Sequence, residues 1–138
     1  MAAATVGFWA QAAPGRTALI HPRKTGPART YSYQELDRLS SKMANVLAGN
    51  GIGFGDRVAI LLSQGPEAAI AHLGIYKLGA IAVPLFTLFG EDGLKYRMKN
   101  SGSRVLITDG DNLEKALNIR ADLPDLEHIF SVDGGADA

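Results

Sequence analysis

One stretch constrains this chain more than any other: Arg57 to Leu85, RVAILLSQGPEAAIAHLGIYKLGAIAVPL. It reads as strand, turn, helix, strand. Val58 to Leu62 is an unbroken apolar run, and so is Ala80 to Val83. A strand with one wet face alternates polar and apolar residues. These do not, so both faces are expected to be covered. Between them, Pro66 to Leu78 is apolar nearly all round, which suits a helix packed inside a layered core. A helix joining two such strands implies a right-handed parallel crossover. The fold class that follows is α/β: a mainly parallel sheet flanked by helices on both faces.

The flanking sequence extends this plan. Val6 to Ala13 predicts a short helix ending at Pro14-Gly15. Thr17 to His21 and Arg29 to Ser32 predict two strands around the turn cluster PRKTGP. They form an N-terminal hairpin, expected as an antiparallel edge on the main sheet. Ser32 followed three residues later by Glu35 fits a capping box. Leu36, Leu39, Met43, Val46 and Leu47 follow at helical spacing, and Gly49-Asn50-Gly51 ends the helix. Asp92 to Asn100 predicts a helix stopped by Gly102, and Arg104 to Thr108 a third core strand. Asp111 is expected to cap a short helix marked by Leu113, Ala116 and Leu117. Glu127 to Val132 predicts the last strand. Residues 1–132 therefore read as a single α/β domain, with 133–138 (DGGADA) expected as a disordered tail.

Composition narrows the partners. With 14 Lys plus Arg against 14 Asp plus Glu, the net charge is zero. That gives no electrostatic case for nucleic acid, and little protection against self-association of the chain. Without cysteine there are no disulfides and no thiolate metal sites. His21, His72 and His128 are far apart and show no ligand spacing. No window reaches the roughly 18 apolar residues of a membrane span. Met-Ala-Ala-Ala lacks the basic and apolar regions of a signal peptide, so a cytoplasmic location is expected.

Several patterns imitate chemical motifs. Gly51-x-Gly53-x-Gly55 tempts towards a dinucleotide fingerprint, but a helix precedes it and a strand follows, the reverse of what phosphate binding needs. Gly74 to Gly79 has phosphate-loop spacing without the Lys-Ser/Thr ending. Ser63 sits where a nucleophile elbow would place a serine, but Leu61 replaces the required glycine, so a turn or capping role is expected. Its hydroxyl still lies where open α/β sheets bind ligands. Asp109 and Asp111 fail the calcium-loop pattern and read as turn and cap residues. His72 reads as a core or rim histidine. Lys77 reads as a helix-end cation favourable to the dipole. Leu85 to Phe89 is unusually apolar for a loop. It is either pinned beneath the next helix or a face awaiting a partner.

Four stretches, in order, resemble a known family. Thr30-Tyr31-Ser32-Tyr33-Gln34-Glu35-Leu36 resembles an early core motif of the adenylate-forming superfamily, the acyl-CoA synthetases and their relatives. Gly51 to Ile60 (GIGFGDRVAI) resembles that family's Gly-Val/Ile-x-x-Gly-Asp-x-Val-Ala segment. Tyr76 to Leu85 (YKLGAIAVPL) is similar to its second core motif, with Leu78 where Ala is commoner. Leu94 to Thr108 is similar to the helix and strand that follow. The form Pro-Leu-Phe-x-Leu-Phe-Gly is closer to bacterial acyl-CoA synthetases than to peptide-synthetase adenylation domains.

The resemblance implies a two-step acid–CoA ligase using ATP, Mg²⁺ and coenzyme A, of which this chain is the N-terminal part. The remainder of that enzyme is its implied partner. The family's phosphate-binding loop, its Tyr-Gly-x-Thr-Glu segment, its ribose-binding Asp and its catalytic Lys have no counterpart in these residues. No catalytic, cofactor-binding or metal-binding residue is therefore assigned, and the chain alone is expected to be inactive. Two other readings compete: a stand-alone flavodoxin-like module for a nucleotide or flavin, and a non-catalytic interaction domain docking through Leu85 to Phe89.

Overall fold

The structure, a computed structural model, describes residues 4–133. In chain order the elements are α1 (Val6–Ala12), β1 (Thr17–His21), β2 (Arg29–Ser32), α2 (Tyr33–Gly49), β3 (Arg57–Leu61) and α3 (Pro66–Lys77). Then come β4 (Ile81–Pro84), α4 (Glu91–Ser101), β5 (Val105–Thr108), α5 (Gly110–Ile119), a short 3₁₀ turn (Arg120–Asp122) and β6 (His128–Ser131). Strands β3 to β6 form one parallel sheet in the order β4-β3-β5-β6.

Helices lie on both faces because the inner strands are apolar on both. Along β3, Ala59 and Leu61 point to one side, where Leu94 and Met98 of α4 and Ala116 and Ile119 of α5 meet Leu106 of β5. Val58 and Ile60 point to the other, where Leu47 of α2 and Ala71 and Ile75 of α3 meet Val105 and Ile107. The helix after β3 does return to a parallel neighbour, β4.

The capping box forms as predicted. The Ser32 hydroxyl accepts from the Glu35 N–H at 3.1 Å, and Glu35 Oε2 accepts from the Ser32 N–H at 2.9 Å. Those bonds hold the Glu35 carboxyl below its ordinary range, the backbone bond leading. On α3, Pro66 occupies the first turn with Glu67 beside it, as a helix start favours.

Three expectations change. First, β1 and β2 pair antiparallel as a separate two-stranded sheet rather than adding to the edge of the main one. Their bonds are local, and α2, on which α1 packs, holds the hairpin instead. Tyr33 N donates to Arg16 O and Gln34 N to Pro14 O, tying α2 to the strand's approach. Second, β4 is not covered on both faces. Ile81 is 50% exposed and Ala82 and Val83 are half-buried. Strand order places β4 at the sheet edge, and apolar composition alone does not encode strand order. Third, Asp133 is anchored: it accepts from Gly110 N at 2.8 Å and from the Ser131 hydroxyl at 2.6 Å. The rest of the expected tail, 134–138, lies outside the described residues.

The N-terminal rim of the sheet carries a polar clasp. Arg104 lies 2.8 Å from Asp56 Oδ2 and donates to both Glu127 oxygens at 2.7 and 2.9 Å. Asp56 also accepts from Gly53 N at 2.8 Å. That bond first, and Arg104 second, hold the Asp56 carboxyl below its usual range; Arg104 does the same to Glu127. Next to it, Arg57 donates from Nε to Ser101 O and from Nη2 to Gly102 O, both at 2.9 Å. A guanidinium fork thus satisfies carbonyls that the end of α4 leaves unpaired. The Gly-Asp-Arg sequence at 55–57 is therefore structural.

Candidate functional site

Parallel strands deliver all their C-terminal ends to one rim, which is where open α/β sheets place ligands. In this chain that rim holds an open cleft of about 260 Å³, bordered by Ser63, Gln64, Glu67, Asp109, Asp111 and Asp133. It follows β3 and β5 and adjoins the end of β6. The cleft is the place to test every residue the sequence put forward.

Ser63 does not behave as a nucleophile. Its N–H donates to Asp109 Oδ2 at 2.7 Å, and its side chain also bonds the Asp109 carboxylate, which the α5 cap holds in place. Asp109, not Asp111, is the N-cap of α5. Its Oδ1 accepts from Asn112 N at 3.1 Å and from Asn112 Nδ2 at 2.7 Å. Burial pushes the Asp109 carboxyl up, but the donors from Ser63 and Asn112 outweigh it and hold the group below the ordinary range. Asp109 is thus a strap between the β3 and β5 loops. The cap bond is local, three residues apart, whereas the strap to Ser63, 46 positions away, is invisible to local pattern. Asp111 remains exposed.

The cleft does not suit a phosphate. It presents four carboxylates and no lysine or arginine among its lining residues. Pro66 offers no N–H at the start of α3. The Glu67 carboxylate folds back to 2.9 Å from where a Gly65 side chain would begin, occupying the approach an anion would need. Among the described residues, no group of three His, Asp or Glu side chains is placed to hold a metal ion. ATP, Mg²⁺ and coenzyme A therefore find no fitting donor set here, and the stand-alone nucleotide-module reading loses its support.

The glycine motifs resolve into packing. Gly74 lies where α3 crosses α2. A Cβ there would come within 2.8 Å of Met43 Cγ and 3.1 Å of the Ser40 carbonyl oxygen. Gly79 ends α3 with φ +65°, and the Phe54 ring covers it. His72 is a rim residue whose Nδ1 lies 3.1 Å from the Tyr76 hydroxyl, and burial holds its pKa below the ordinary value.

Lys77 overturns the helix-end reading. Its ammonium donates to Asp37 Oδ1 at 2.7 Å, to Asp37 O at 2.8 Å and to Ser41 Oγ at 2.7 Å. Its side chain is only 19% exposed. All three acceptors belong to α2, so Lys77 ties two helices together and is not merely a cation in its own helix's last turn. The Lys77→Met chain should lose about 1 kcal/mol. Urea unfolding of Lys77→Met, Asp37→Asn and the double variant measures this. Absence of coupling between the two positions would restore the helix-end reading.

Leu85 to Phe89 divides between the two expectations. Leu85 is buried and Phe89 packs on the core, with Arg97 3.9 Å above its ring. Lys115 donates to Thr87 O at 2.6 Å. Phe86 and Leu88 point outward, 57% and 80% exposed. The segment is pinned beneath α4 and also presents apolar surface.

Comparison with known proteins agrees with this geometry. A family model described as "AMP-binding enzyme" matches residues 8–138. The acetyl-coenzyme A synthetase of Bacillus subtilis (strain 168) is 40% identical over 110 residues, covering 78% of this chain and 19% of that protein. Among solved structures, the anthranilate CoA ligase AuaEII in complex with anthranoyl-AMP superposes with TM-score 0.88 at 31% identity, over 96% of this chain and 25% of its own. A Mycobacterium tuberculosis fatty acyl CoA synthetase superposes with TM-score 0.87 at 27% identity, over 96% and 26%. The chain thus spans about a fifth to a quarter of the length of these relatives.

Proposed function

The chain belongs to the AMP-binding enzyme family, and we propose on that premise that it is the first α/β lobe of an AMP-forming acid–CoA ligase. In the whole reaction a carboxylate oxygen attacks the α-phosphorus of ATP and pyrophosphate leaves. The thiol sulfur of coenzyme A then attacks the acyl carbon, loses its proton, and AMP leaves with the bonding pair. This lobe is a scaffold for that chemistry. The match across residues 8–138 carries the reading. The anion-repelling cleft supports the division of labour, because nothing in it can cradle a triphosphate.

ATP–pyrophosphate exchange tests both halves of the proposal. The 138-residue chain should show no exchange above background with acetate, benzoate or a fatty acid. Exchange by the chain alone would overturn the scaffold reading. An intact longer protein that carries this lobe and activates no carboxylate would overturn the ligase reading.

A further inference from the structure

A net charge of zero conceals a segregation. The first 34 residues carry Arg16, Arg23, Lys24 and Arg29 and no Asp or Glu. The first acid is Glu35, and ten cations share the rest of the chain with all 14 acids. All four early cations are exposed, and none is in an ion pair among the described residues. Arg29 leans over the Tyr31 ring at 4.7 Å, and its charge reaches Glu35. That leaves Arg16, Arg23 and Lys24.

Apolar side chains stand among these three. Arg16 leads into β1 and lies 5.3 Å from the Trp9 ring, with Phe8 edge-on to that ring at 5.2 Å. Phe8 is 54% exposed and Trp9 38%. Along the hairpin, Leu19 pairs with Tyr31, which is buried, so the next pair, Ile20 and Thr30, faces outward. Ile20 is 64% exposed. Arg23 and Lys24 follow in the turn beyond the far end of β1. At roughly 3.3 Å per residue, β1 separates the two basic ends by about 17 Å. The result is a strip with cations at both ends and exposed apolar groups among them.

This chemistry selects an occupant. Cations draw anions, and apolar groups beside them enter an interfacial layer without needing a pocket. None of the six side chains lines the clefts on the rest of the lobe, so the strip offers a protein partner no socket for an anchor residue. Single-stranded nucleic acid needs open ring faces for stacking, and Trp9 is hemmed by Arg16, Phe8 and Tyr33.

We propose that this strip binds the surface of an anionic lipid bilayer. Phe8, Trp9 and Ile20 enter the headgroup layer, and Arg16, Arg23 and Lys24 pair with lipid phosphates and carboxylates. Attachment is peripheral: no helix of the described residues is long and apolar enough to cross a membrane. Charge and exposure carry this, whatever the longer chain catalyses.

Vesicle co-sedimentation tests it, with Trp9, the chain's single tryptophan, as a second readout. The 138-residue chain should pellet with vesicles of phosphatidylcholine and phosphatidylserine and not with phosphatidylcholine alone. Trp9 emission should shift to the blue on binding, and salt of about 0.5 M should release the chain. Arg23→Gln with Lys24→Gln should weaken binding about 30-fold, because each cation near such a surface contributes about fivefold. Both lie in an exposed turn, so the melting temperature should stay within about 2 °C. Ile20→Ser should weaken binding on its own. Lys42→Gln with Lys99→Gln removes the same charge from α2 and α4 and should leave binding unchanged.

Equal loss in both double variants would mean that adhesion is not localised to the strip, and the proposal would be wrong. So would pelleting with neither vesicle, or retention of single-stranded RNA by a chain that ignores vesicles. Binding by the 138-residue chain but not by an intact longer protein would mean that the strip is covered there, which also overturns it.

Discussion

Gly74→Leu is expected to destabilise the chain by about 3 kcal/mol, lowering its melting temperature by roughly 10 °C. The α2–α3 crossing is tight at this point because a hydrogen atom occupies the place of a side chain. Ser40, directly opposite, is fully buried, and its carbonyl oxygen would sit 3.1 Å from a new Cβ. The Met43 side chain can swing away; the Ser40 backbone cannot without shifting α2. Gly74→Ala separates two opposing effects. Alanine gains about 1 kcal/mol of helix propensity over glycine, while the clash costs about 1–3 kcal/mol. A net loss of about 1 kcal/mol is expected. Calorimetry on the two variants decides the matter. If Gly74→Leu melts with the parent chain, the helices do not cross here.

Leu106→Ala is expected to cost about 3 kcal/mol, among the largest effects of any single truncation. Leu106 lies on β5, between β3 and β6, fully buried against α4 and α5. The side chain has neighbours on every side and no loop to collapse into the void. Leu88→Ala removes the same atoms from a position 80% exposed and should stay within about 0.5 kcal/mol. Guanidinium titration of the pair compares burial at constant chemistry. Equal midpoints would mean that β5 is not central, and with it the strand order β4-β3-β5-β6 would fail.

What the sequence reveals is what neighbours in sequence determine. The capping box at Ser32 and Glu35 needs four consecutive residues, and it forms as written. The strand–helix–strand unit from Arg57 to Leu85 needs only its own hydrophobic pattern, and it is there. Most of the misreadings have one cause, a partner far away in sequence; the α5 cap, made three residues on, is the exception. Lys77 finds Asp37 forty positions earlier. Asp109 straps the Ser63 loop 46 positions away. β4 reads as a covered strand because composition records apolarity, whereas edge or centre is decided by which strand lies beyond. The hairpin reads as an edge of the main sheet for the same reason. The cleft was legible in position but not in charge. Its four carboxylates come from segments scattered between Glu67 and Asp133, and their convergence exists only in the fold.

The Arg104 clasp, with Arg57 beside it, sits entirely at the N-terminal rim, while the β–α loops open at the other. This separation bears on how such a fold diversifies. Changes in the upper loops leave the clasp untouched, so variation there is not penalised by loss of the sheet. Drift at Asp56, Arg57, Arg104 or Glu127 affects every strand at once and improves no binding surface. The upper loops can therefore vary while this floor stays fixed.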